Sequence, residues 1–103
     1  MENAHKTYHD KEIVNIYHDK KNRILRLLTL DDDEIKFENI IQIELNYFSE
    51  QNVIFDIHEY NLVSIPQNLK EEYPFLNNNR LSNDFKYYHL DSSTGLTGFI
   101  VCS

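Results

Sequence analysis

Apolar and polar positions alternate with a period of two along most of the chain, the signature of strands with one buried and one wet face. "EIVNIYH" (12–18) predicts a strand, "DKKN" a turn and "RILRLLTL" (23–30) a second strand, together a hairpin with a four-residue connection. "DDD" (31–33) marks the next turn. From there the odd positions run Ile35, Phe37, Ile41, Ile43, Leu45 and Tyr47, while the even ones carry Glu34, Lys36, Glu38, Gln42, Glu44 and Asn46. The alternation falters at Asn39-Ile40, where a bulge or tight turn either bends one long strand or separates two short ones.

After a turn at "SEQN", "VIFDIHEY" (53–60) resumes the pattern. A short helix is expected next: Pro66 suits a first helical position, Leu69 and Tyr73 lie one turn apart, and Pro74 stops it. The chain closes with "FKYYHL" (85–90), the turn "DSSTG" (91–95) and "LTGFIVC" (96–102), whose Gly98 signals a close backbone approach. These elements predict an α+β fold, an antiparallel sheet of five to seven strands with one short helix against it. The alternative is an all-β barrel or roll carrying a helix.

Length sets the frame for that sheet. The 103 residues fit a single domain, residues 1–103, and folding should bury roughly two-thirds of the unfolded surface. Two glycines and two prolines with 13% aromatic residues describe an ordered chain, not a linker. No apolar run nears the roughly 20 residues that a membrane span needs, and the N-terminal "MENAHKTYHDKE" lacks the apolar segment of a signal peptide. The single cysteine, Cys102, leaves no internal disulfide and reads as a packed thiol, so a cytoplasmic protein is expected.

Charge is more informative than composition. The net charge is −7, but residues 31–60 carry nine Asp/Glu against one Lys, so the middle third holds the whole excess. Such a field repels phosphate backbones and anionic membranes and speeds encounter with a basic partner. The candidate partner-binding residues are Asp31, Asp32, Asp33 and Glu34 in one cluster, then Glu38, Glu44 and Asp56 on the polar faces of what read as neighbouring strands, and Glu50 in a turn. Tyr47 and Tyr60 border them as aromatic anchors. A solvated face with ordinary solubilising charges is the competing reading. One sheet face would suffice for an average interface of roughly 800 Å² per partner.

Catalytic and metal motifs do not assemble. His9-Asp10 and His18-Asp19 invite a metal reading, but nine extended residues separate the histidines by roughly 30 Å, and even a helix would leave roughly 13 Å. One ion needs its ligands about 2 Å away, so the pairs read as polar strand ends. His58 lies beside Asp56, and His89 precedes Asp91 and Ser92-Ser93, but nothing in the spacing fixes a nucleophile against a base. Gly95 and Gly98 make neither a P-loop nor a dinucleotide fingerprint. No cofactor, no metal site, no nucleic acid ligand and no enzymatic activity are expected.

The order "HDKEI", a short hairpin, "EIKFENI" and then "NVIFDI", spanning residues 9–58, resembles small bacterial proteins of unknown or immunity function. In these an HD-x-x-I strand precedes alternating strands, an I-x-F-x-N-I/V segment and an N-V-I strand. The set resembles immunity proteins of polymorphic-toxin and contact-dependent inhibition systems. The resemblance implies a small protein that neutralises a cognate toxin, often a basic nuclease, by binding it; a non-enzymatic monomer or weak homodimer is expected. It transfers no catalytic residue. Two rivals stand beside it: a small enzyme or metal-dependent hydrolase using His58 and His89, and a structural or regulatory module that binds a ligand or assembles through a strand edge.

Overall fold

The computed structural model describes residues 8–103; residues 1–7 of the polar N-terminal stretch lie outside the described residues. Among the described residues seven strands form: β1 Ile13–Asp19, β2 Ile24–Thr29, β3 Glu34–Phe37, β4 Ile40–Asn46, β5 Val53–Tyr60, β6 Lys86–Thr94 and β7 Thr97–Cys102. One α-helix, α1, spans Gln67–Glu72, flanked by 3-10 turns at Leu62–Ser64 and Pro74–Asn77. The architecture is α+β and mostly β, but the expected single sheet is split in two. β1-β2-β3 form one antiparallel sheet, and β4-β7-β6-β5 form another. Neither closes into a barrel.

The split occurs where the alternation falters. Asn39 has φ +57°, a left-handed conformation that Asn tolerates better than most residues, and the chain leaves the first sheet there for the second. The parity of the apolar side chains changes with it. Ile35 and Phe37 are buried, Ile40 takes the next core position and Ile41 is exposed; a bulge between Ile40 and Gln42 then returns Ile43 and Leu45 to the core side. Tyr47, the last member of the expected apolar face, is 76% exposed.

The two sheets pack face to face over one core, built from Leu25, Leu27, Ile35 and Phe37 on one side and Ile54, Tyr88, Leu90 and Ile100 on the other. A second apolar cluster lies on the far side of the four-stranded sheet. There Tyr87, Phe99 and Val101 meet Ile65, Leu69, Tyr73 and Leu76 from the helical segment. The central strands β6 and β7 are thus covered on both faces, which explains the unbroken apolar runs "YYHL" and "GFIVC" that an alternating surface strand would not show.

Pro66 caps α1 and Tyr73 follows its end, close to the expected bounds. β6 runs further than expected: residues 91–94 continue the strand because its distal half pairs with β5, through Ile54 opposite Ser92 and Val53 opposite Thr94. The reversal is confined to Gly95-Leu96.

Candidate functional site

The ten acidic and aromatic candidates do not form one face. At the β2–β3 turn, Thr29 is buried and its hydroxyl donates to Asp31 at 2.5 Å, while its Oγ1 accepts from the Asp33 amide at 2.8 Å. Lys11 reaches across to this turn, with Nζ 2.5 Å from Asp31 and 3.5 Å from Asp33. Hydrogen bonds from Lys11 and Thr29 hold the Asp31 carboxyl down to about 2. Glu34 lies 3.2 Å from Arg26 Nε, and Glu38 3.0 Å from Lys36. Arg26 also stands 5.8 Å over the Tyr17 ring. Part of this cluster is therefore matched by the protein's own cations, although Lys11 alone serves both Asp31 and Asp33, and among the described residues no cation pairs with Asp32.

Glu44 and Asp56 were expected on neighbouring strands; that placement is corrected. β4 and β5 are opposite edges of the four-stranded sheet with β7 and β6 between them, roughly 14 Å apart at ordinary strand spacing. The residues nevertheless share a face. Register places Glu44 opposite Phe99, Phe99 opposite His89 and His89 opposite His58, with Asp56 opposite Asp91 two positions along. Paired residues point to the same side of a sheet, and Phe99 belongs to the helix-side cluster, so all of these lie on the helix side.

That face has a covered half and an open half. The row Gln42, Val101, Tyr87, Tyr60 lies toward the helical layer, and Tyr60 packs against that cluster instead of standing free as an anchor. Beyond it, in the next row, Asp91 and Asp56 are half-buried and Asn46 is exposed. Glu72 at the end of α1 is close enough to act on both Tyr73 and His89, and Glu44 acts on Tyr73. Burial first, and then these carboxylates, push the Tyr73 phenol up, against a lowering hydrogen bond with Thr97. Among the described residues no Lys or Arg pairs with Glu44, Asp56, Glu72 or Asp91. Tyr47 and Glu50 lie apart, in the exposed β4–β5 connection.

The histidines are the part of the site that linear spacing concealed. His58 Nε2 is 3.4 Å from Asp91 Oδ2, and its Nδ1 is 4.0 Å from Asp56. The His58 and His89 rings stack at 6.2 Å, and His89 stacks in turn on Phe99 at 4.9 Å with Tyr73 edge-on. Burial pushes the His89 imidazole down from its ordinary value, with Asp91 and Glu72 opposing and His58 adding. Ser92 does not complete a triad: its hydroxyl donates to the Leu96 carbonyl, on the opposite side of the strand from His89. Among the described residues no group of three His, Cys, Asp or Glu is arranged to hold a metal ion.

Of the histidines in the two His-Asp pairs, His9 lies in the turn ahead of β1 and His18 in the last turn-facing part of β1. His9 Nδ1 contacts the Phe55 carbonyl at 3.0 Å, and Asp19 holds the β1–β2 turn through Asn22. Cys102 is buried, and burial pushes its thiol up to about 11. No helix among the described residues is long and apolar enough to cross a membrane.

No family model, curated protein or solved structure matches this chain. The arrangement of residues has to carry the functional reading unaided.

Register, not sequence distance, places His58, His89 and Asp91 on the same face as Glu44 and Asp56, and the end of α1 adds Glu72 beside His89. The available signal was the strand pairing His58–His89, which sequence alone did not supply.

Proposed function

We propose that the chain is a non-enzymatic binding protein of the immunity type, which neutralises a cognate basic protein toxin by laying an acidic sheet face over it. The observation that carries this reading is the open half of the helix-side face. Glu44, Asp56, Glu72 and Asp91 surround it, and no Lys or Arg of the described chain answers them. Carboxylates matched within a protein add little field for a partner; unmatched ones on one face attract a basic surface and raise its association rate. In this mechanism the carboxylates anchor and perform no chemistry. The β2–β3 turn, with Asp31, Asp32, Asp33, Glu34 and Glu38, contributes to the long-range field, and Asp32 is its least matched member.

The reading is tested first at the gene neighbourhood, where a reading frame for a large toxin-like protein is expected beside this one, and then with the product of that frame as titrant. A stoichiometric complex is expected. The triple variant Glu44→Lys, Asp56→Lys, Asp91→Lys should lose binding by at least about a hundredfold while keeping its circular dichroism and melting profile. Reversal at Asp31 alone should change affinity far less. Unaltered affinity in the folded triple variant, or no complex with wild type, overturns the proposal.

A further inference from the structure

The two edges of the four-stranded sheet are treated differently. Residues 10–13 run along the start of β5: the Asp10 amide donates to the Ile54 carbonyl, the Ile54 amide to Lys11, and Glu12 bridges Val53. β5 also carries Asp56 and Glu59. At the other edge, among the described residues, β4 makes one backbone hydrogen bond outside its ladder with β7, from the Ile40 amide to the Arg23 carbonyl. Its sequence "IIQIELN" has one charge and no proline. Ile41 is exposed, and Ile43 and Leu45 are only half-buried. Apolar edges with little charge are what soluble proteins ordinarily blunt, and on β4 the bulge between Ile40 and Gln42 interrupts only its first residues.

The surroundings of β4 are complementary end to end. Beside its start, where the two sheets fail to close, His18, Lys20, Arg23, Ile40, Ile41 and Ile43 line a cavity of about 330 Å³. Beyond its other end the chain turns at Tyr47 with φ +65°, a left-handed conformation that is unfavourable for a bulky residue. That turn leaves Tyr47 76% and Phe48 52% exposed, with Glu50 two residues on. Neither aromatic belongs to either apolar cluster.

We propose that β4 pairs with β4 of a second copy, antiparallel and centred on Ile43, joining the two four-stranded sheets into one of eight strands. In this register Ile43 faces its own counterpart, Ile41 faces Leu45, and Gln42 faces Glu44. Apolar residues meet apolar residues on the core side, and no like charges stand directly opposed, as Glu44 would be in a register centred one residue later. The same pairing brings Tyr47 and Phe48 of each copy to the cavity beside the other's Ile40. There the aromatic rings find aliphatic walls with Lys20 and Arg23 at the rim, and Glu50 approaches those cations. The two-fold axis stands perpendicular to the sheet, so both helical layers and both open acidic half-faces fall on one side. The net charge of −7 on each copy opposes the pairing, so added salt should tighten it.

Sedimentation equilibrium of the full chain tests this. A reversible dimer is expected, strengthened from low to moderate salt, and Ile41→Lys should weaken it at least about tenfold. Register is read by Ile43→Cys, which should cross-link two chains on mild oxidation because directly opposed residues have the spacing of a disulfide. The buried Cys102 should not react in the same conditions. A protein monomeric up to about 1 mM overturns the proposal. So does a dimer that Ile43→Cys fails to cross-link or whose dissociation constant Ile41→Lys leaves unchanged. If Ile41→Lys does not fold, concentration dependence and cross-linking still decide.

Discussion

Asn52 and Leu96, forty-four residues apart in the chain, are joined inside the protein by the Leu96 amide donating to Asn52 Oδ1 at 2.9 Å. The same oxygen accepts from the Ser49 amide, and Asn52 Nδ2 donates to the carbonyls of Ser49 and Ile13. One buried side chain thus ties the β4–β5 connection, the start of β1 and the β6–β7 reversal together. Replacing it by Ala leaves several backbone groups without partners where water has little access. Asn52→Ala should lower unfolding free energy by about 2–4 kcal/mol, measured by urea denaturation. A loss under about 1 kcal/mol would mean that the loops rearrange to satisfy themselves.

Gly98 is fixed by a different constraint. At φ +154°, a Cβ there would stand 1.9 Å from the Glu44 carbonyl oxygen, inside the β4–β7 ladder. Neither backbone can retreat without breaking the pairing that carries β4. Gly98→Ala should therefore cost about 2 kcal/mol or more. It should also raise amide exchange in residues 42–46 well above that in β5; uniform protection across the sheet would contradict the local explanation.

The histidine pair predicts a pH dependence. His89 is buried against Phe99 and Tyr73, faces His58 across the strands, and has Asp91 and Glu72 nearby. Its folded pKa is lowered chiefly by desolvation, so below the unfolded value of about 6.5 the unfolded chain takes up the proton first. The contribution to stability is complete at neutral pH and is lost as pH falls below that value. His89→Phe should flatten the stability profile between about pH 5 and 7 while keeping the ring stack, as read by urea unfolding across that range. An identical slope in wild type and variant would assign the pH dependence elsewhere.

Strand existence was legible in the sequence because side-chain alternation and turn residues are local properties. β5 matches its expected bounds, β1 and β2 lie within a residue or two, and the close approach at Gly98 is real. Partition of the strands between sheets was not legible. It depends on which residue takes the left-handed turn at Asn39 and on how the bulge at Ile41 restores parity. The strand placement of the acidic residues was not legible for the same reason: Glu44 and Asp56 lie on opposite edges and share a face only through the intervening residues Phe99 and His89, which are far away in sequence. Lys11, ahead of β1, and Arg26 of β2 then match part of the "DDDE" cluster, a cancellation invisible to a charge count.

The Lys11–Asp31 pair gives the last prediction, and its sign is opposite to that of His89. Hydrogen bonds from Lys11 and Thr29 stabilise the charged carboxylate, placing the folded pKa at about 2 against an unfolded value of 3.8. The unfolded state therefore binds the proton at higher pH, and the contribution is present above about pH 4 and lost as pH falls toward 2. Because both groups are solvent-accessible, salt should shrink the effect. Carboxyl-carbon NMR titration should place the Asp31 midpoint near 2 in wild type. Lys11→Met should raise it, and Thr29→Val should raise it less, since the Lys11 hydrogen bond is the larger influence. A midpoint unmoved by Lys11→Met would show that the turn itself, through Thr29 and its backbone, holds the carboxylate charged.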